Sequence, residues 1–403
     1  MKIAILSVNL FDDANGGVEN HILFLSKEFI QLGHEILLFK PVWEDQYKEA
    51  ERKWDEKLTI AYVNLGKRPY DFRRWTSLGK SGYLAGFLGK VAYMIAAGEI
   101  ARAIASWKPE LVWQHDFSSG WLATRKLSRR FPIVLTNHRG EYLVFKRHAL
   151  GRLLLRWALK HYNAVIGPSK ELTPDFVRNA YTIHNGVDTS LFFPLSLEKR
   201  IEKRKQLYGM TDRFVILCPR RWAPTKGIIF LAKAIRQLDQ VDELKSKLIF
   251  AFAGNDTQFP LYTEKINSEL NDLKIQVVRL GELKVGETIP YYQSADLVII
   301  PSLMEAVSLA ALEAMACGTP VLSTNVGGMP EIIEEGKTGF LVNPGQPDEL
   351  AQAVHRISNE PGRTDVAMEA LNMVRRQYDW SAIAKTTETV LRETLHERQA
   401  MNS

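Results

Sequence analysis

Residues 297–344 read LVIIPSLMEAVSLAALEAMACGTPVLSTNVGGMPEIIEEGKTGFLVNP. The run LVII at 297–300 is uniformly apolar and stops at Pro301, the pattern of a strand buried on both faces. Residues 306–317 carry apolar side chains at helical spacing and predict a helix, with Gly318 as its stop. Two further short β-rich runs follow, at 321–323 and 340–342. Strands without polar alternation, separated by helices, predict a parallel sheet covered on both faces, because every parallel crossover must carry the chain back over one face.

The same alternation extends outward in both directions. Residues 214–218, 248–253 and 276–280 are strand-like on the N-terminal side of this stretch. An earlier series occupies 2–10, 35–39, 59–63, 111–115, 133–136 and 164–167, with a helical segment at 18–32 that Gly33 ends. The turn-rich segment NGVDTSLFFP at 185–194 separates the two series. The reading is therefore α/β, with two doubly wound, Rossmann-like domains at 1–185 and 186–378 and an amphipathic C-terminal helix within 379–403. In such sheets ligands bind beyond the carboxyl ends of the strands, so the loops after strands are where chemistry is expected.

Composition narrows the class. The chain has 403 residues, 46% hydrophobic and 24% charged, the balance of a globular protein rather than a disordered or fibrous one. Its two cysteines, Cys218 and Cys317, cannot build a disulfide framework and fit a reduced compartment. No apolar stretch reaches the ~20 residues of a membrane span. Residues 1–10 are too short, and too soon followed by Asp12 and Asp13, for a secretory leader. A cytoplasmic location is expected.

Three loops carry candidate chemistry. Glu305 and Glu313 are read as lying at the start of the 306–317 helix and two turns inside it. Eight residues rise ~12 Å, which suits holding hydroxyls at two ends of one extended ligand. Between them the amides near Ser308 and Leu309 belong to a helix N-terminus, a natural phosphate site. The segment CPRRWAPTKG at 218–227 places Arg220, Arg221 and Lys226 after a strand, where fixed cations can stabilise a departing anion. Gly16 and Gly17, after the first strand, let backbone approach a ligand ahead of a helix start.

Other motifs are excluded. Gly336-Lys337-Thr338 is not a Walker A loop, since Glu331 stands where its first glycine belongs. There is no G-x-S-x-G elbow. His115-Asp116 and His138 follow strands, but no histidine pair has a metal-ligand spacing and there is no Asp-x-Asp. No catalytic metal is expected.

The pair Glu305-x7-Glu313, followed by AMACGTPV, NVGGMPEII and GKTGFLV, resembles the signature of family 4 glycosyltransferases. These are retaining enzymes of the GT-B fold that use nucleotide-sugar donors. The resemblance is dense over 296–344 and weaker elsewhere. It implies two Rossmann-like domains with a ligand cleft between them and a last helix that crosses back to the first domain. It implies that Glu305 binds donor-sugar hydroxyls, that Glu313 binds the ribose, and that the G-R-x-x-x-x-K-G loop puts its arginine on Arg221 and its lysine on Lys226. Arg220 stands where that loop has glycine, and Ala306, Val307 and Ser308 replace a glycine and an aromatic. Gly16 and Gly17 would face the diphosphate, His138 the donor sugar, and His115 and Asp116 the acceptor side.

The implied activity is metal-independent, retaining transfer of a sugar from a nucleotide-sugar, itself a substrate, to an acceptor; no cofactor is expected. A polysaccharide, a lipid-linked sugar or a small molecule would serve as acceptor. Hydrolysis, epimerisation or phosphorolysis of a sugar substrate is the alternative, as is a non-catalytic nucleotide-sugar-binding scaffold.

Charge adds one expectation. Residues 61–180 carry 20 Lys and Arg against 7 Asp and Glu, a net +13, and the rest of the chain sums to −7. Lys67, Arg68, Arg73, Arg74, Trp75 and Lys80 mix cations with aromatics, and Arg152, Arg156 and Lys160 recur at four-residue spacing on an apolar helix. An anionic membrane surface or a phosphorylated acceptor suits such a half. Nucleic acid does not, since no recognition fold is visible.

Overall fold

The computed structural model describes residues 1–8, 17–54, 58–67, 82–138, 141–209 and 212–402. They form two compact units: Met1–His184 with Ile383–Ser403, and Asn185–Ala382. Gly16 and the basic stretch 68–80 lie outside the described residues.

Unit 1 contains β1 (Lys2–Ser7), β2 (Glu35–Val42), β3 (Glu51–Lys53), β4 (Thr59–Asn64), β5 (Leu111–His115), β6 (Ile133–Thr136), β7 (Ala164–Gly167) and β8 (Ala180–Thr182). Their order is β3-β4-β2-β1-β5-β6-β7-β8. Every pair is parallel except β3 with β4. The sequence reading misses β3 and β8, which span three residues each. β3 is Glu-Arg-Lys and fully exposed, so it gives no apolar signal; charged edge strands of this kind resist unwanted pairing.

Unit 2 contains β9 (Phe214–Cys218), β10 (Leu248–Ala253), β11 (Gln276–Gly281), β12 (Leu297–Ile300), β13 (Val321–Thr324) and β14 (Phe340–Val342). All pair in parallel, in the order β11-β10-β9-β12-β13-β14. The unbroken apolar runs have a direct cause. Val215 and Leu217 of β9 enter one core, while Phe214, Ile216 and Cys218 enter the core on the opposite face. In β12, Val298 and Ile300 face the first core and Leu297 and Ile299 the second. Each such side chain contributes roughly 1.5–3 kcal/mol by leaving water. Burial also pushes the Cys218 thiol up to about 12, so this cysteine packs as an inert hydrophobe.

The strand order explains where a ligand goes. The chain winds from β9 out to β11, then returns to place β12 on the other side of β9. At such a switch point a ligand is expected beyond the carboxyl ends of the strands, where the loops that leave β9 and β12 lie. In unit 1 the same reversal falls between β1 and β5.

One helix differs from expectation. It spans Leu309–Ala316, not 306–317. Ser308 is its N-cap in extended conformation (φ −74°, ψ 120°). Residues before it are drawn into a loop by other elements: the Leu303 N–H donates to Thr225 O (2.9 Å) and the Gly328 N–H donates to Ala306 O (2.7 Å). The closing helix spans Trp380–Asn402. From Ile383 onward it packs in unit 1, where the Glu388 carboxylate lies 2.8 Å from His34 Nε2 and Arg398 donates to Ser128 O (3.1 Å).

Gly227 lets the loops after β9 and β12 meet. Its φ is +68°, and a Cβ there would lie 1.9 Å from Pro301 O. Gly227→Ala should therefore cost about 3 kcal/mol or more, from strain and forced loop separation together. Urea unfolding of the variant should show a clearly lowered midpoint; an unchanged midpoint would contradict this packing.

Candidate functional site

The switch point of unit 2 gathers charge. The loop after β9 carries Arg220 and, in a short 3-10 turn at Pro224–Lys226, Lys226. Gly254 at the end of β10 lets that loop sit close, since a Cβ there would fall 2.4 Å from Arg220 O. The loop after β12 carries Glu305. Its Oε2 accepts from Arg220 Nη2, from Lys226 Nζ (2.8 Å) and from Ser302 Oγ (3.1 Å). Arg220 Nη1 also donates to Ser308 Oγ (3.2 Å), the N-cap of the Leu309–Ala316 helix. These charges are largely withdrawn from water: side-chain exposure is 12% for Arg220 and Glu305 and 20% for Lys226.

Protonation follows from this arrangement. Burial pushes the Glu305 carboxyl up, but Arg220 and Lys226 outweigh it and hold it below the ordinary value. Burial and then repulsion by Arg220 lower Lys226, against the pull of Glu305. Two cations share one carboxylate, so the cluster keeps a positive surplus beside the first amides of a helix. Those amides have no partners within the helix and favour an anion.

Glu313 lies on the helix, where its Oε2 accepts from Tyr292 Oη (2.7 Å). Burial raises its pKa, opposed by that hydrogen bond and by Arg220. Tyr292 is fully buried, and burial and Glu313 raise its hydroxyl well above the ordinary range.

Two expectations change. Glu305 is in the loop rather than on the helix, so the helical rise between the two glutamates does not describe their geometry. Arg220, not Arg221, joins Glu305; Arg221 is exposed one residue further on. A motif alignment could not see this, because which of two adjacent arginines meets Glu305 depends on how the folded loop directs each side chain. Ser302 and Tyr292 complete the set without any signal in the sequence beyond their places next to β12 and before it.

At the switch point of unit 1 the chemistry is imidazole. His115 ends β5, His138 follows β6, and His21, unforeseen, lies on the helix Gly17–Gln31 after β1. His115 Nδ1 and His138 Nε2 are 3.0 Å apart. The His21 ring meets the His138 ring edge-on at 4.6 Å between centroids. Burial, then His138 and His21, hold His115 well below its ordinary pKa, so it is neutral. One ligand atom from each of the three lies within 4.8 Å of the others, so this trio can close on a transition-metal ion. Linear spacing gave no hint of it, because the ligands come from three elements that only the sheet brings together. Asp116 is buried at φ +64°, and its Oδ1 accepts from the His138 N–H (3.3 Å), so it orders the turn that holds His138. Gly17 opens its helix and is exposed.

Residues 15–191 match the model described as Glycosyltransferase Family 4, and residues 199–392 match Glycosyl transferases group 1. The chain belongs to the family 4, group 1 glycosyltransferases. An uncharacterized glycosyltransferase of Methanocaldococcus jannaschii is 36% identical over 211 residues, which is 52% of each chain. The matched span is thus about half the length of that relative. Sucrose-phosphate synthase from Thermosynechococcus elongatus has a TM-score of 0.76 at 22% identity, covering 98% of this chain and 99% of its own. Anabaena HepE, solved with UDP and glucose, has a TM-score of 0.72 at 19% identity, covering 98% and 100%. These structures share the fold, GT-B.

The buried histidines of unit 1 give a pH signature. Burial lowers His161 to about 4, and His115 is lowered in the same direction. Between the folded value and the unfolded one near ~6.5, the unfolded chain holds a proton that the native state does not. Stability is therefore present above that window and is lost as pH falls. At pH 5 the His161 share is about 2 kcal/mol. Thermal unfolding should show a lower midpoint at pH 5 than at pH 7, and His161→Gln should shrink that difference; equal slopes for both proteins would contradict it.

Proposed function

We propose that the protein is a retaining glycosyltransferase that moves a sugar from a nucleotide-sugar donor to an acceptor hydroxyl. The cluster of Arg220, Lys226 and Glu305 at the switch point of unit 2 carries this reading. Breaking the bond between the anomeric carbon and the β-phosphate oxygen leaves two electrons on the diphosphate. Arg220, Lys226 and the amides at Ser308 and Leu309 meet that charge without transferring a proton. Glu305, fixed by the same cations, accepts from hydroxyls of the donor sugar, and Glu313 accepts from the ribose. His138 contacts the sugar, steadied by neutral His115. The acceptor oxygen bonds to the anomeric carbon on the face the phosphate leaves, and its proton passes to the leaving phosphate oxygen. Retention follows without a protein nucleophile.

Support for the donor class comes from family membership and from the ligands of HepE, UDP and glucose. The leaving group's charge is met by side chains of unit 2, so the reading is of metal-independent transfer with no cofactor. We place the protein in the cytoplasm, against the inner face of a membrane. The net +13 of residues 61–180 supports that placement, and among the described residues no helix is long and apolar enough to cross a membrane.

Arg220→Ala and Lys226→Ala should each lower kcat by ~100-fold or more. Arg221→Ala serves as the control and should lower it far less. If Arg221→Ala were the damaging change and Arg220→Ala were mild, the assignment of the cluster would be wrong. Turnover should also persist in excess EDTA; loss that magnesium or manganese restores would overturn the metal-independent part.

A further inference from the structure

The helix Ala149–Leu159 has two apolar faces. Gly151, Leu155, Ala158 and Leu159 are buried in unit 1. The other face is open: Leu150 is 69% exposed, Leu153 63%, Leu154 48% and Trp157 51%. The helix before it, Glu141–Lys146, adds Val144 at 61% and Phe145 at 44%. Six large apolar side chains thus face outward within 14 residues, a density that marks an interaction surface rather than scattered surface hydrophobes.

The surroundings of this face are cationic. Lys146, Arg147, Arg152, Arg156 and Lys160 lie in the same stretch, where Glu141 is the one acid. Asp175 lies 3.8 Å from Arg152, at the edge. Beside Trp157 a cavity of ≈ 590 Å³ is lined by Arg125, Lys126, Arg129, Lys160 and His161, with no carboxylate among the described residues of its wall. Burial keeps His161 neutral, with a pKa of about 4, so the charge is that of the four cations. Arg125 lies against both Trp121 and Trp157, 5.3 Å and 4.7 Å from the ring centroids, and these contacts hold it in the wall.

We infer that this face docks on an anionic lipid bilayer, with the cavity beside Trp157 receiving a lipid phosphate headgroup. The inference gives a surface to the membrane placement above and rests on it, but it does not depend on the donor chemistry of unit 2. A leucine-rich face enters the boundary between headgroups and acyl chains, while Arg and Lys at its rim reach the phosphates. Tryptophan suits that depth because its ring is apolar and its N–H is polar. A protein partner is the poorer match, since lysine is depleted at such interfaces and charge is depleted at their cores.

Flotation of the full chain with vesicles tests this. The protein should float with phosphatidylcholine–phosphatidylglycerol vesicles and not with phosphatidylcholine alone, and salt should release it as the Debye length falls from ~10 Å at 0.1 M to ~3 Å at 1 M. Leu150→Ser, Leu153→Ser and Leu154→Ser combined should abolish flotation. Lys126→Glu, Arg129→Glu and Lys160→Glu combined should weaken binding by roughly fivefold or more per cation. Circular dichroism shows whether both variants are folded. No flotation of the wild type, equal flotation on neutral vesicles, or a folded leucine variant that floats normally would overturn the inference. So would a wild-type dimer that the leucine variant splits, since the face would then belong to a second copy. Arg220→Ala should float like the wild type, which separates failure here from failure of the transfer reading.

Discussion

A carboxylate buried between two cations ties together the loops that leave β9 and β12 in unit 2. Taking Glu305, Arg220 and Lys226 out of water costs several kcal/mol per ion, and only close pairing offsets it. Removing one partner leaves another buried and unmatched, at a typical cost of 3–5 kcal/mol. The close approach this needs is possible because positions 227 and 254 lack side chains. Backbone packing, ion pairing and the anion site are therefore one structure. Under the proposed function, a diphosphate arriving there meets cations already fixed in place, with little further ordering to be done.

One topological rule gives each unit its own site. Winding reverses at β9 and β12 in unit 2 and at β1 and β5 in unit 1. At both reversals the strand ends and the segments that follow them gather polar side chains. Their chemistry differs because their surroundings differ. In unit 2 the buried groups are charged and compensate one another. In unit 1 they are imidazoles, which can shed their charge instead, as the lowered pKa of His115 shows. A neutral His115 can donate from one ring nitrogen and accept at the other, and so can steady His138 without adding charge.

The surface of unit 1 changes the meaning of its composition. In the sequence Arg152, Arg156 and Lys160 are a cationic stripe at four-residue spacing on an apolar helix. The structure buries one face of that helix and leaves its other leucines in water. A basic stripe alone is commonplace; a basic rim around exposed leucine and tryptophan is the feature on which the proposed docking to an anionic bilayer rests.

The sequence alone determined the two parallel sheets, because strands buried on both faces must be written as unbroken apolar runs such as FVILC at 214–218 and LVII at 297–300. It also determined the candidates Lys226 and Glu305, whose loops follow those strands directly, and Glu313 on the helix after the second loop. Elements without burial, such as the Glu-Arg-Lys edge strand, left no such trace. Tertiary structure decided the rest. It chose Arg220 over Arg221, since only the direction of a side chain from a folded loop settles which cation meets Glu305. It moved Glu305 off the helix, because contacts from Thr225 and Gly328 hold residues 303–306 in a loop whatever their helical propensity. It brought His21 to His115 and His138 across 117 residues of chain. Proximity of this kind is a property of strand order, and strand order is set by how whole helices and strands pack, not by any local pattern of residues.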